Sequence, residues 1–188
     1  MKLIGFAGPA GSGKSEAAEF LRHHFGFRKY AFADPLKRMV AALFDITPEE
    51  FERKCLDRSF KESPIGGLNK SPRQLMQTLG TEWGRDQVHP DVWVSIAQLH
   101  IYGQHWTDDA VPGVAIHDVR FNNEANWIRM NGGLIVHLVR DDAEPVAEHT
   151  SEKGIDVWAS DATVYNNGQL MDLHTKLFHL VNDMEDAA

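Results

Sequence analysis

The sequence predicts an α/β fold: a mostly parallel five-stranded sheet with helices on both faces, three layers in all. Three observations predict it. Short apolar runs alternate with stretches of helical periodicity along the 188 residues, the order that gives a parallel sheet between helices. The first run, Leu3 to Ala7, ends in a glycine-rich turn that passes straight into a helical stretch. Near the end, Leu170, Leu173, Leu177, Leu180, Val181 and Met184 form a stripe of helical period, suited to a terminal helix lying on the sheet.

Bulk properties narrow the function. Hydrophobic residues make up 43 %, enough for one domain with a sizeable core. The net charge of −8 argues against nucleic acid as the main partner, because binding a phosphate backbone needs a basic surface. A local positive pocket for a small anion is compatible with an acidic protein. A single cysteine, Cys55, rules out an intramolecular disulfide and a cysteine-based zinc cluster. The N-terminus enters a strand directly, and no apolar run approaches the ~18 residues of a membrane span. These features predict a soluble cytoplasmic protein with no membrane partner.

The elements follow in order. Leu3 to Ala7 reads as a buried strand, and Gly8 to Ser15 fits the pattern G-x-x-x-x-G-K-[ST]. A helix runs from Glu16 to Phe25 and closes at Gly26. In that context the turn predicts a phosphate cradle. Glycines bring backbone N–H groups close to phosphate oxygens, the helix N-terminus adds partial positive charge, Lys14 reaches the outer phosphates, and the Ser15 hydroxyl can ligate Mg²⁺. Tyr30 to Ala33 reads as a second strand. Asp34 then caps a helix reaching about Phe44, with Pro35 first in it. Lys37 and Arg38 fall in its first turn, where positive charge opposes the helix dipole. Presentation to an anion and simple solvation both explain them.

Thr47-Pro48-Glu49-Glu50 starts a third helix, and Asp57 to Lys70 reads as a mobile polar loop. Ser71-Pro72 opens a helix through Gln87. At ~100° per residue, Leu75, Met76, Leu79 and Trp83 share one arc, and Arg73, Gln77, Gly80 and Gly84 the adjoining one. Interior glycines cost roughly 1 kcal/mol each, so something approaches the backbone there: a planar ligand or a packed helix. Val92 to Trp106 is a long helix. Val114 to Ile116 is a strand leading to His117, Asp118 and Arg120. An acid at that place suits outer-sphere handling of magnesium, or a strand-end cap. His117 reads as a packed or surface residue. A helix to Met130, a strand over Leu134 to Val139, Arg140, an acidic lid loop of about 140–156, a strand over Ala162 to Tyr165 and the terminal helix complete the chain. Lys14, Asp34, Asp118, Arg120 and Arg140 all fall at or just after predicted strand C-termini, where a parallel sheet forms its ligand crevice.

The chain resembles the phage deoxynucleoside monophosphate kinases, a branch of the P-loop nucleoside monophosphate kinases. The likeness rests on Gly8–Ser15, Phe32–Lys37, Arg73–Glu82 and Asp118–Glu124, with a weaker echo in His149–Glu152. It implies a P-loop NTPase-type three-layer fold with a helical substrate-binding insertion at about 35–106. It also implies transfer of the ATP γ-phosphate to a dNMP with Mg²⁺, giving ADP and dNDP. Gly11, Ser12, Gly13, Lys14 and Ser15 would cradle ATP, with Ser15 and, through its outer sphere, Asp118 at the metal. Lys14, Asp118, Arg120 and the lid arginine Arg140 would serve transfer, Arg140 also touching ATP. Lys37, Arg73 and Arg120 would clamp the acceptor's phosphate, and Asp34 and Arg85 would also bind the acceptor. Gln77, Trp83 and Glu124 would contact its base or sugar, and Thr150 and Glu152 would also bind the acceptor. The likeness places the enzyme in the cytoplasm, the host's if it is phage-encoded, with nucleotides as its partners and dimerisation open. Glu16-Ala17 after Ser15 departs from the relatives' pattern. A phosphomevalonate-type kinase and a non-enzymatic nucleotide-binding regulator are the alternatives.

Overall fold

The computed structural model describes residues 1–103, 111–142 and 154–186. Along the chain run β1 (Lys2–Ala7), α1 (Lys14–Phe25), β2 (Arg28–Tyr30), α2 (Asp34–Leu43), α3 (Pro48–Lys54), α4 (Arg58–Glu62) and α5 (Pro72–Gln77). A π-helical stretch, Thr78–Val88, follows. Then come α6 (Val92–Tyr102), β3 (Gly113–Val119), α7 (Asn122–Met130), β4 (Leu134–Val139), β5 (Ala162–Tyr165) and α8 (Leu170–Asp186). By its contacts the chain forms two compact units, one of Met1–Ala31 with Gln98–Ala188 and one of Phe32–Ala97. The sequence expectation was one domain with a helical insertion at about 35–106.

The first unit holds the sheet. Its strand order is β2-β3-β1-β4-β5, and every pairing is parallel. β1 is therefore central, and Leu3, Ile4, Phe6 and Ala7 are all buried, as a strand covered on both faces requires. The alternation of side chains along β1 sorts the layers. Ile4 and Phe6 join Ala17, Phe20 and Leu21 of α1 and Leu173, Leu177 and Val181 of α8 in one core. On the other face, α7 packs so tightly that a Cβ on Gly5 would meet Ile128 at 2.6 Å. Three layers result, as the alternation of elements predicts.

Several boundaries differ from the sequence reading. β2 lies earlier than Tyr30–Ala33 and pairs with β3 only over Arg28–Tyr30. Ala31 and Phe32 are buried outside the ladder, so their apolar character marks packing rather than strand. The N-cap of α2 is Ala33, and Asp34 is the first helical residue. β3 continues through His117 and Asp118 to Val119. Leu170 of the terminal stripe is more exposed than buried.

The second unit is helical. Val40, Ala41 and Phe51 form its core, with Phe44, Phe60, Leu75, Met76 and Leu79 around them. Thr47 caps α3 by accepting from the Glu50 N–H. The polar stretch after Asp57 is not a structureless loop. The Asp57 carboxylate accepts from the Ser59 N–H and starts α4, whose Phe60 ring lies 6.0 Å from Phe44. Ser71 and Gln74 form a reciprocal capping box at the start of α5. None of the described helices is long and apolar enough to cross a membrane.

Candidate active site

The carboxyl ends of β1, β3 and β4 share one edge of the sheet, because Ala7 pairs with Val119 on one side and His137 on the other. The Gly8–Ser15 turn grows from that edge. Gly8 and Gly13 adopt positive φ, and each is sterically confined. A Cβ on Gly8 would meet the Leu138 carbonyl at 2.3 Å, and one on Gly13 would meet the Asn166 amide at 2.6 Å. Gly13 is also the N-cap of α1 and has no side chain to satisfy the first-turn N–H groups. Those donors and the helix dipole make a ready site for an anion.

The side chains of the turn are arranged around the same place. The Lys14 ammonium donates to the carbonyls of Gly8 and Pro9, 2.6 Å each, so it curls back over the turn. Ser12 is wholly buried, and its Oγ has no hydrogen-bond partner among the described residues. A buried polar atom without a partner is costly, and a ligand oxygen would relieve it. Ser15 Oγ lies 3.4 Å from His117 Nδ1. The neighbour of the Ser15 hydroxyl along β3 is thus a histidine that the sequence reading set aside. Glu16, the departure noted above, pairs with His174 of α8 at 3.1 Å.

Around the turn, Asp118 sits half-buried one residue before the end of β3. Arg120 follows the strand, and its backbone N–H donates to Glu124 Oε2 at 2.8 Å. The Phe121 N–H donates to the same oxygen at 3.1 Å. Glu124 is buried and holds the first turn of α7, a use the sequence did not reveal. Arg140 follows β4 and grips both oxygens of Asp142 at 2.6 and 3.2 Å, which pushes its pKa above the ordinary arginine value. Thr150, Glu152 and most of the lid loop lie outside the described residues.

The helical unit carries the other candidates. Lys37 donates to Asp34 Oδ1 at 3.0 Å and to Glu52. Burial disfavours its charge, but Asp34 and Glu52 outweigh burial and raise its pKa above the usual lysine range. Arg73 Nη1 donates to Glu62 Oε1 at 2.9 Å. Beyond Gln77 the chain widens into the π-helical stretch, a form often found at functional positions. Its period breaks the arcs drawn at 100° per residue. Trp83 stands 41 % exposed instead of joining Leu75 and Leu79 in the core. The two glycines serve packing. A Cβ on Gly84 would meet Trp93 at 2.5 Å, one on Gly80 would meet Leu36 at 3.0 Å, and the Trp93 indole donates to the Gly80 carbonyl at 2.7 Å. Arg85 is buried and donates to the Pro90 carbonyl.

A family model described as "Deoxynucleotide monophosphate kinase" matches residues 68–177. The chain belongs to the deoxynucleotide monophosphate kinase family. It is 30 % identical over 193 residues to a putative deoxynucleotide monophosphate kinase of Acanthamoeba polyphaga mimivirus, with 97 % of each chain covered. It is 27 % identical to the deoxynucleoside-5′-monophosphate kinase of Escherichia phage T5, covering 81 % of this chain and 84 % of that one. The deoxynucleotide monophosphate kinase of Enterobacteria phage T4 is 24 % identical, covering 94 % and 97 %.

The family match spans Arg73, Gln77, Trp83, Arg120, Glu124 and Arg140 and begins after the glycine-rich turn. In this family member the glycine-rich turn is also braced by a residue far along the chain. Asn166, just after β5, donates to the Ser12 carbonyl at 3.0 Å and closes off the space beside Gly13. Nothing local in Asn166-Asn167-Gly168 announces a partner 154 positions away.

Proposed function

We propose that the protein transfers the γ-phosphate of ATP to a deoxynucleoside 5′-monophosphate, giving ADP and a dNDP. The observation that carries this is the Gly8–Ser15 cradle at the N-terminus of α1, in a chain of this kinase family. The backbone N–H groups of Gly11 to Ser15 bind the β- and γ-phosphates. Lys14 exchanges the carbonyls of Gly8 and Pro9 for phosphate oxygens, and the Ser12 hydroxyl gains the partner it lacks. The Ser15 hydroxyl, an oxygen donor of the kind magnesium prefers, would hold the ion, with the Asp118 carboxylate supporting it from the outer sphere. Bound Mg²⁺ would supply charge neutralisation between the phosphates.

Lys37 and Arg73 bind the acceptor's phosphate, and Asp34 holds Lys37 in place. Gln77 and the exposed Trp83 ring contact the nucleoside. Arg120 and Arg140 neutralise charge on the transferring group, with Glu124 fixing the backbone from which Arg120 springs. The acceptor's phosphate oxygen attacks the γ-phosphorus directly and ADP leaves, so the residues position and stabilise without a covalent enzyme intermediate. Family membership counts against the regulator and the phosphomevalonate-type readings.

A coupled ADP-release assay over dAMP, dGMP, dCMP, dTMP and their ribo-counterparts tests the proposal. Release that depends on at least one dNMP and on Mg²⁺ is expected. Release indifferent to every monophosphate would overturn it.

A further inference from the structure

Both cations assigned to the acceptor's phosphate already hold a carboxylate from a neighbouring helix. Lys37 of α2 is paired with Glu52 of α3, and Arg73 of α5 with Glu62 of α4. The two pairs share an asymmetry. The Lys37 and Arg73 side chains are 21 % and 19 % exposed, while Glu52 and Glu62 are 53 % and 42 % exposed. In each case the cation is recessed and the carboxylate reaches it from the solvent side. Burial works against the Lys37 charge, but Asp34 and Glu52 together outweigh it and hold the side chain as an ammonium.

A carboxylate that can swing into water gives up little, since part-exposed ion pairs contribute little to stability. A phosphate dianion offers three oxygens and twice the charge to a guanidinium fork and an ammonium. We propose that Glu52 and Glu62 are internal carboxylate occupants of the acceptor-phosphate subsite, displaced by the dianionic phosphate of the acceptor, and that they set which acceptors are admitted. A doubly charged phosphate ester outcompetes them. An uncharged nucleoside or a singly charged carboxylate does not. This gives the polar stretch around α4 a task that its sequence did not suggest. The inference rests on the assignment of Lys37 and Arg73 to the acceptor phosphate.

The test uses Glu52→Gln, Glu62→Gln and the double variant, which keep shape and remove charge. The KM for the dNMP should fall by about threefold in each single variant and about tenfold in the double, the scale of a part-exposed ion pair. The KM for ATP should stay put, and inorganic phosphate should become a stronger inhibitor competitive with the dNMP. A dNMP KM that is unchanged or raised, in variants with wild-type melting temperatures, would show that the glutamates orient the cations instead and would overturn the inference. If the Gln variants melt below the assay temperature, Glu52→Asp and Glu62→Asp retract the carboxylates by one carbon, and the same fall in KM decides. Calorimetric titration of dNMP into wild type and double variant, without ATP, keeps the outcomes apart. Tighter binding by the double variant upholds the inference even if turnover assays fail, and equal or weaker binding overturns it. Unchanged dNMP binding in Lys37→Ala and Arg73→Ala would sink the assignment of the cations themselves.

Discussion

In the proposed function the turn at Gly8–Ser15 and the cation pairs of the helical unit both take phosphate, and they are built from different materials. The turn is made of backbone. Its shape follows from two glycines with no room for a Cβ, from α1 beginning at Gly13, and from Asn166 holding the Ser12 carbonyl. The helical unit uses side-chain charge, and its charges are already balanced by Asp34, Glu52 and Glu62. Backbone donors cannot be neutralised by a neighbouring carboxylate without filling the site, whereas side-chain cations can be occupied and released. On the proposed assignments, geometry governs one phosphate site and competition the other.

Four substitutions test that contrast, from the largest effect to the smallest. Lys14→Ala should lower kcat by about 10²–10³-fold, the scale of losing one charge-stabilising donor, and leave the melting curve unchanged. Near-normal turnover would remove Lys14 from the transfer step. Asp161→Asn probes the frame beneath the turn. Asp161 accepts from Arg129 at 2.6 and 3.0 Å, from His137 at 2.9 Å and from the Trp158 N–H, with only 1 % of its side chain exposed. Burial raises its pKa, but these donors more than reverse that and hold it at about 2. A carboxyl held below its unfolded value contributes fully above the ordinary carboxylate range and loses that contribution as pH falls from about 4 towards 2. The variant should lose about 3 kcal/mol of stability at neutral pH, and its acid-unfolding profile should flatten in that window. Its KM values should hold, and a large change in them would make this cluster part of the site. Arg73→Ala should raise the dNMP KM by about 10–100-fold and the ATP KM far less, read from initial rates with each substrate varied. An effect on ATP alone would reassign α5. Asn166→Ala should weaken ATP binding by about fivefold, for one neutral hydrogen bond, with dNMP binding untouched in calorimetry.

Much of the sheet was legible because its signals are local. The apolar runs at Leu134–Val139 and Ala162–Tyr165 coincide with β4 and β5, and the turn stands where its pattern placed it. The helical unit was harder for two reasons. Its helices are short, so α4 shows only a cap at Asp57 and one aromatic at Phe60. The π-helical stretch changes the angular period in mid-element, so faces drawn at a constant step set Trp83 on the arc of Leu75 and Leu79 and left the glycines open to a ligand or a packed helix. Site residues recruited from a distance, His117 beside Ser15 and Asn166 beside Ser12, carry no short-range signature at all. Glu124 was visible as a residue but not as a cap, although a glutamate three places into a helix is a known capping position.

The Asn166 bond has a consequence for the order in which the molecule is made. Residues 8–15 leave the ribosome well before Asn166, yet their final shape is completed by this side chain, which emerges some 150 residues later, just after β5. Contacts of such long sequence separation form late. A nascent chain therefore does not complete the Gly8–Ser15 turn until β5 has docked, and a product truncated before residue 166 carries the motif without the Asn166 bond that braces it.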